Sequence, residues 1–186
     1  MNTATKITLV RILLIPVFMV CMYFSMQVDA LHYVALVVFA AASLTDFIDG
    51  HIARKYHQIT DLGKFLDPLA DKVLVLSAMA MLCEWHVFPA WALMIVITRE
   101  FAVSGLRMVA ASNGRVIAAA WSGKIKTAAT MSGLCIMLLL QGNFFGNLLG
   151  ESAVQVINWV IVGLISVTTL WSGVEYFVRN RDVFRK

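Results

Sequence analysis

Apolar residues recur along the chain in six long blocks, at residues 7–26, 31–53, 65–83, 88–109, 117–140 and 154–178. Each block is near the roughly 20 residues that a helix needs to cross a bilayer. The pattern predicts an all-α integral membrane protein of six transmembrane helices. These form a single domain over residues 1–186, with short connectors and neither a soluble domain nor a low-complexity tract nor an internal repeat. The first block has no A-x-A cleavage site after it and further apolar blocks follow, so it is taken as a span and not as a signal peptide.

The basic residues lie on one side of this pattern. Lys6 and Arg11 open the first span, Arg54, Lys55, Lys64 and Lys72 surround the turn between the second and third, and Arg99, Arg107, Arg115, Lys124 and Lys126 flank the turn between the fourth and fifth. Arg179, Arg181, Arg185 and Lys186 form the tail, while the opposite connectors, around Asp29, Glu84 to His86 and Gln141 to Glu151, carry no Lys or Arg. Cytoplasmic loops collect positive residues, so both termini are expected in the cytoplasm. Gly142, Gly146 and Gly150 sit with Asn143 and Asn147 in a polar stretch read as a flexible outer loop.

Composition agrees with lipid as the solvent: 60% of residues are hydrophobic and 14% charged, and mean hydropathy is +0.81. On so apolar a chain the formal net charge of +4 reports membrane topology or anionic ligands, and a nucleic-acid partner is not expected. The three cysteines, Cys21, Cys83 and Cys135, have no metal-ligand spacing and read as packing residues. His32, His51, His57 and His86 are scattered and receive no chemistry. Trp85 and Trp91 read as outer interface anchors, and Trp121 and Trp171 as belt or packing residues.

The chemistry concentrates in DFIDGHIARKYHQITDLGKFLDPLAD, from Asp46 to Asp71. Asp46 and Asp49 are three apart and Asp67 and Asp71 four apart, so each pair shares a helix face. Counting about 1.5 Å per residue puts the first pair roughly 10 Å below the cytoplasmic surface. Carboxylates gathered there repel one another and need protons or cations to persist. Oxygen-only ligation suits Mg²⁺ or Mn²⁺, and two ions would suit displacement at a phosphate. A proton relay or a structural polar cluster stays open on spacing alone. Gly50, Ala53 and Gly63 leave room for a nucleotide, and Arg54 supplies a fork for a diphosphate.

The segment fits D-x2-D-G-x2-A-R-x8-G-x3-D-x3-D and resembles the signature of the CDP-alcohol phosphotransferases at every specified position. GKFLDPLADK from Gly63, REFAVSGLR from Arg99 and GKIKT from Gly123 extend the similarity over nearly the whole chain. The resemblance implies a homodimer with its site open to the cytoplasm in a bacterial cytoplasmic membrane. It implies that Asp46, Asp49 and Asp67 ligate metal, and that Asp71 is the general base, shared with a second ion. It also implies that Thr8, Gly50, Ala53, Arg54 and Gly63 line the CDP-lipid site. One departure is Thr5, which stands where relatives carry asparagine.

The activity implied is transfer of a phosphatidyl group from CDP-diacylglycerol to glycerol 3-phosphate, releasing CMP. The alternatives are other acceptors within the family, as in cardiolipin, phosphatidylserine or phosphatidylinositol phosphate synthesis, or, from another class, cation transport. A phosphate-bearing acceptor calls for a second cationic locus. Arg99 and Arg107, eight residues apart, lie about 80° apart around a helix and can face one cavity, with Glu100 able to neutralise Arg99. Lys124 and Lys126 are about 200° apart, so only one is expected to face inward. The resemblance favours Arg99, Arg107 and Lys124 as the phosphate clamp, with Lys126 last.

Overall fold

The computed structural model describes the backbone of residues 3–55, 61–114, 117–118 and 120–184, and the side chains of 8–45, 66, 69–114, 117–118, 120–142, 144–145 and 147–182. The described chain is all helical: α1 (Thr3–Phe24), α2 (Asp29–Lys55), α3 (Asp61–Glu84), α4 (Ala90–Ser112), α5 (Trp121–Leu140), α6 (Asn143–Leu149) and α7 (Glu151–Arg179). A 3₁₀ turn at Arg181–Phe184 follows. The long helices α1 to α5 and α7 coincide with the six apolar blocks of the sequence. Among the described residues, α5 and α7 are long and apolar enough to cross a bilayer, and Thr8–Phe24 and Asp29–Thr45 are shorter apolar runs.

The outward face of the bundle is apolar. Val160, Val167 and Val174 repeat every seven residues on α7 and are each more than 60% exposed, and Leu13, Val37, Phe101 and Met108 are equally bare on α1, α2 and α4. Contiguous apolar surface on this scale suits lipid and not water.

Inside, α1 packs on α2 and α3, and α7 packs on α4 and α5. The larger core joins Phe18 and Met22 of α1, Phe39 of α2, Leu74 and Leu82 of α3, Val96 of α4, Leu134 and Met137 of α5 and Ile165 of α7. The Phe18 and Phe39 rings meet at 5.6 Å between centroids. A smaller cluster, Val103, Leu106, Ala110, Ala120 and Tyr176, closes the other end of α4, α5 and α7. Between the two clusters, each of these three helices turns polar: Arg99 and Glu100 on α4, Ser122, Lys126 and Thr130 on α5, and Thr168, Thr169 and Ser172 on α7.

Two expectations change. The outer connector holds the helix α6 in place of a flexible loop. Gly142 precedes it because a Cβ there would stand 2.7 Å from the Tyr33 hydroxyl, which in turn accepts from Phe144 N at 3.3 Å. Helix α3 is under way from Asp61, so Pro68 lies inside it and Asp67 is not its N-cap. Trp85 is a packing residue and not a free anchor: it stacks at 5.7 Å on His32, whose Nε2 bonds the Leu138 carbonyl. Trp91, Trp121 and Trp171 do face outward.

Helices α5 and α7 approach closely at Gly133 of α5, where an added Cβ would lie 2.7 Å from Ile161 Cγ2 and 3.2 Å from Ile165 Cδ1 of α7. Ile161 Cγ2 is a branch methyl on Cβ and cannot swing aside without a change of rotamer. Overpacking of about 1–3 kcal/mol therefore exceeds the about 1 kcal/mol that alanine gains over glycine in a helix. Gly133→Ala is expected to lower the unfolding midpoint in detergent, and adding Ile161→Ala to recover part of it. An unchanged midpoint would show that α5 and α7 separate there at no cost.

Candidate active site

The aspartate segment lies on two consecutive helices joined through residues 56–60. The backbone of α2 is helical through Asp46 and Asp49 to Lys55, and α3 is helical through Asp67 and Asp71. Each pair is thus one turn apart on helices that pack together. The side chains of Asp46, Asp49 and Asp67, and of Ala53 and Arg54, lie outside the described residues, as do the surroundings of Gly50 and Gly63. Asp71 is part-buried beside the buried Ala70. The donor chemistry, carboxylate oxygens alone on regular helix turns, fits a hard divalent cation such as Mg²⁺ or Mn²⁺.

Helix α1 braces this segment. Thr8 and Arg11 are each only 1% exposed, and Arg11 Nε donates to the Ala42 carbonyl at 3.2 Å. That carbonyl also accepts from Thr45 Oγ1 at 2.8 Å and lies one helical turn before Asp46. Burying a guanidinium requires such partners, and the arginine in return fixes the register of α2 just ahead of its first aspartate.

The second locus is the polar layer of α4, α5 and α7. Glu100 Oε1 accepts from Lys126 Nζ at 2.6 Å and from Arg99 Nη1 at 3.0 Å. Arg99 Nη2 donates to Ser172 Oγ at 2.6 Å, and Gly123 leaves the space, since a Cβ there would touch that same Nη2 at 3.6 Å. Arg107 reaches the next turn of α7, with Nε donating to the Tyr176 hydroxyl at 2.8 Å and its guanidinium carbon 5.4 Å from that ring's centroid. From α3, Lys72 Nζ donates to Ser104 Oγ, which itself donates to the Glu100 carbonyl at 2.7 Å.

Of the two lysines on α5, the buried one is Lys126, at 5% exposed. Lys124 is exposed and lies 5.3 Å from the Trp121 ring centroid. The order suggested by resemblance is therefore reversed in burial. Lys126 shares a helix face with Ser122 and Thr130, four residues to either side, and Lys124 sits about 200° around. Buried hydroxyls of Ser122, Thr130 and Thr169, and Arg99 Nε, have no partner among the described residues. By contrast, Thr127 and Ser132 on the outer face of α5 turn back onto carbonyls of their own helix at 3.0 and 2.8 Å.

Sequence reasoning treated Glu100 only as a neutraliser of Arg99, and passed over Lys72, Ser104, Ser172 and Tyr176. A signal for them exists. Ser122, Lys126 and Thr130 are spaced by four, and Thr168, Ser172 and Tyr176 are also spaced by four, so both series make a polar stripe at helical period within an apolar block. Among the described residues no group of three or more His, Cys, Asp or Glu is gathered.

Comparison with known proteins adds an independent line. Residues 1–172 match the family model described as CDP-alcohol phosphatidyltransferase. The chain is 40% identical to the CDP-diacylglycerol–glycerol-3-phosphate 3-phosphatidyltransferase of Bacillus subtilis, over 99% of this chain and 97% of that one. It is 36% identical to the protein of the same name from Escherichia coli, over 97% and 95% of the two chains. It is 34% identical to a probable phosphatidylglycerophosphate synthase of Mycobacterium tuberculosis, over 98% and 83%. With a match of that extent, and relatives similar along almost their full length, the chain belongs to the CDP-alcohol phosphatidyltransferase family.

Proposed function

We propose that this chain is a membrane-embedded transferase that moves the phosphatidyl group of CDP-diacylglycerol to the 1-hydroxyl of sn-glycerol 3-phosphate. The products are CMP and phosphatidylglycerol phosphate, in the synthesis of membrane phospholipid. The observation that carries this reading is the Arg99–Glu100–Lys126 cluster, in which Lys126 is buried and its two partners are part-buried. It places surplus positive charge inside the bundle, joined through Ser104 and Lys72 to the helix of Asp71. A phosphate-bearing acceptor accounts for that surplus better than a neutral polyol or a zwitterion does.

In this reading the acceptor phosphate binds Arg99 and Lys126, with Arg107 at the entrance, and the glycerol hydroxyls meet the unpartnered hydroxyls of α5 and α7. Asp46, Asp49, Asp67 and Asp71 would hold one or two Mg²⁺ or Mn²⁺ ions, which when bound neutralise pyrophosphate charge and stabilise the departing CMP. Arg54 and the small residues Gly50, Ala53 and Gly63, with Thr8, hold the CDP moiety. An apolar groove of about 290 Å³ between α1 and α3, lined by Ile15, Pro16, Leu69 and Val73 among others, runs beside the turn of α3 that carries Asp71 and suits an acyl chain. Asp71 takes the proton from the 1-hydroxyl of the acceptor. The freed oxygen forms a bond to the lipid-side phosphorus as the bond from that phosphorus to the CMP oxygen breaks, with no covalent enzyme intermediate.

The same reading includes six membrane spans with both termini and the site on the cytoplasmic side of a bacterial cytoplasmic membrane, and a homodimer. A cation transporter is disfavoured by α2 itself. Its hydroxyls Ser43 and Thr45 are turned onto carbonyls of their own helix at 2.8 Å each, and so offer no polar path outward from the aspartates.

Purified protein given CDP-diacylglycerol and divalent metal should release CMP with glycerol 3-phosphate, and much less with phosphatidylglycerol, serine or inositol phosphate. Complete chelation should stop release and added Mg²⁺ or Mn²⁺ restore it. Preference for another acceptor, or turnover that survives chelation, would overturn the assignment. Asp71→Asn should lower kcat by about 10²–10⁴-fold, the usual worth of a general base, while CDP-lipid binding persists; near-normal turnover removes Asp71 from that role. Lys126→Met should raise the KM for glycerol 3-phosphate about tenfold or more, as loss of a charged hydrogen bond does. Lys124→Met should leave it within about twofold, as expected for an exposed cation.

A further inference from the structure

A carboxylate placed among apolar helices is costly unless cations meet it. Glu100 meets two of them through one oxygen, with Lys126 Nζ of α5 at 2.6 Å and Arg99 Nη1 of its own helix at 3.0 Å. It is itself held from behind, since Ser104 Oγ bonds its carbonyl at 2.7 Å and takes a hydrogen bond from Lys72 of α3. Arg99 is fixed at a second point by Ser172 Oγ of α7 at 2.6 Å. Neither cation is used up. Arg99 Nε is buried without a partner among the described residues, and an ammonium has three donors, of which Glu100 takes one from Lys126.

Two opposite effects follow from a negative charge at this place. It repels an incoming phosphate, and it gathers two cations that would otherwise repel each other. The geometry decides between them. The carboxylate is engaged by both cations, so its charge is spent on them, and one negative charge against two positive ones leaves the pair cationic. Without it, Lys126 has no reason to stay inward on a face it shares with Ser122 and Thr130, and a long amine on a membrane helix turns out to the interface, as Lys124 does.

We infer that Glu100 is a positioning residue for the acceptor, holding Arg99 and Lys126 as one anion-binding pair whose remaining N–H donors grip the phosphate of glycerol 3-phosphate. The inference rests on the transfer reaction proposed above and assigns to Glu100 a part in acceptor affinity and none in the chemical step.

The test is steady-state CMP release by purified wild type, Glu100→Gln and Glu100→Asp, varying glycerol 3-phosphate and CDP-diacylglycerol separately. Inorganic phosphate serves as a competitor, and unfolding midpoints are read on the same samples. Glu100→Gln should raise the KM for glycerol 3-phosphate about tenfold or more, a factor worth ~1.4 kcal/mol, and raise the inhibition constant of phosphate alike. The KM for CDP-diacylglycerol should stay within about twofold, since only ground-state binding of the acceptor is lost. Glu100→Asp keeps the charge on a shorter arm and should fall between the two; it carries the test alone if the glutamine variant does not fold. An unchanged or lowered KM for glycerol 3-phosphate in a folded variant overturns the inference, and so does an equal rise for both substrates. Wild type that releases no CMP with glycerol 3-phosphate would overturn the reaction itself, and this inference with it.

Discussion

Charge inside an apolar bundle must be met by opposite charge or by hydrogen bonds, and this constraint organises the interior of the protein. Removing one partner of a buried ion pair typically costs about 3–5 kcal/mol, whereas a cation over an exposed ring is worth about 0.5–1 kcal/mol. The Lys126–Glu100–Arg99 cluster belongs to the first class and Lys124 on Trp121 to the second. The arrangement of α4, α5 and α7 follows. Their apolar residues are sorted into two clusters, and polar ones fall between them, where Arg99, Glu100 and Lys126 each find a partner on a neighbouring helix.

The same constraint links the two halves of the candidate site. Arg11, buried at the start of α1, has to find an acceptor and takes the Ala42 carbonyl, thereby fixing α2 one turn ahead of Asp46. Lys72, adjacent in the chain to Asp71, has to find an acceptor and takes Ser104 on α4. The proposed nucleotide-lipid site on α2 and α3 and the proposed acceptor site on α4, α5 and α7 are thus tied together by the partners their charges need. Transfer between two substrates, one anchored in lipid and one arriving from water, requires that kind of fixed juxtaposition.

Much of this was legible in the sequence. Six blocks of spanning length gave six long helices, and the aspartate spacing matched helix turns on α2 and α3, because membrane helices satisfy their own backbone and leave little freedom in register. What was not legible depends on neighbours distant in the chain. Which of Lys124 and Lys126 faces inward is set by where α5 begins and what α4 presents to it, and periodicity alone gives only their separation of about 200°. The short helix α6 was hidden by its glycines and asparagines, whose polarity reads as loop. Its anchor is Tyr33, far away in sequence, over Gly142.

Asp71 and Lys72 occupy successive positions of α3, about 100° apart around its axis, and belong to different halves of the proposed reaction. The helix therefore acts as a shared shaft. A small twist of α3 would carry Asp71 and the Lys72–Ser104 tie to α4 through the same angle at once, so in the proposed reaction neither substrate's alignment could drift alone. Substitutions far along that shaft, in the packed stretch around Leu82, have a route to the chemistry without touching either substrate.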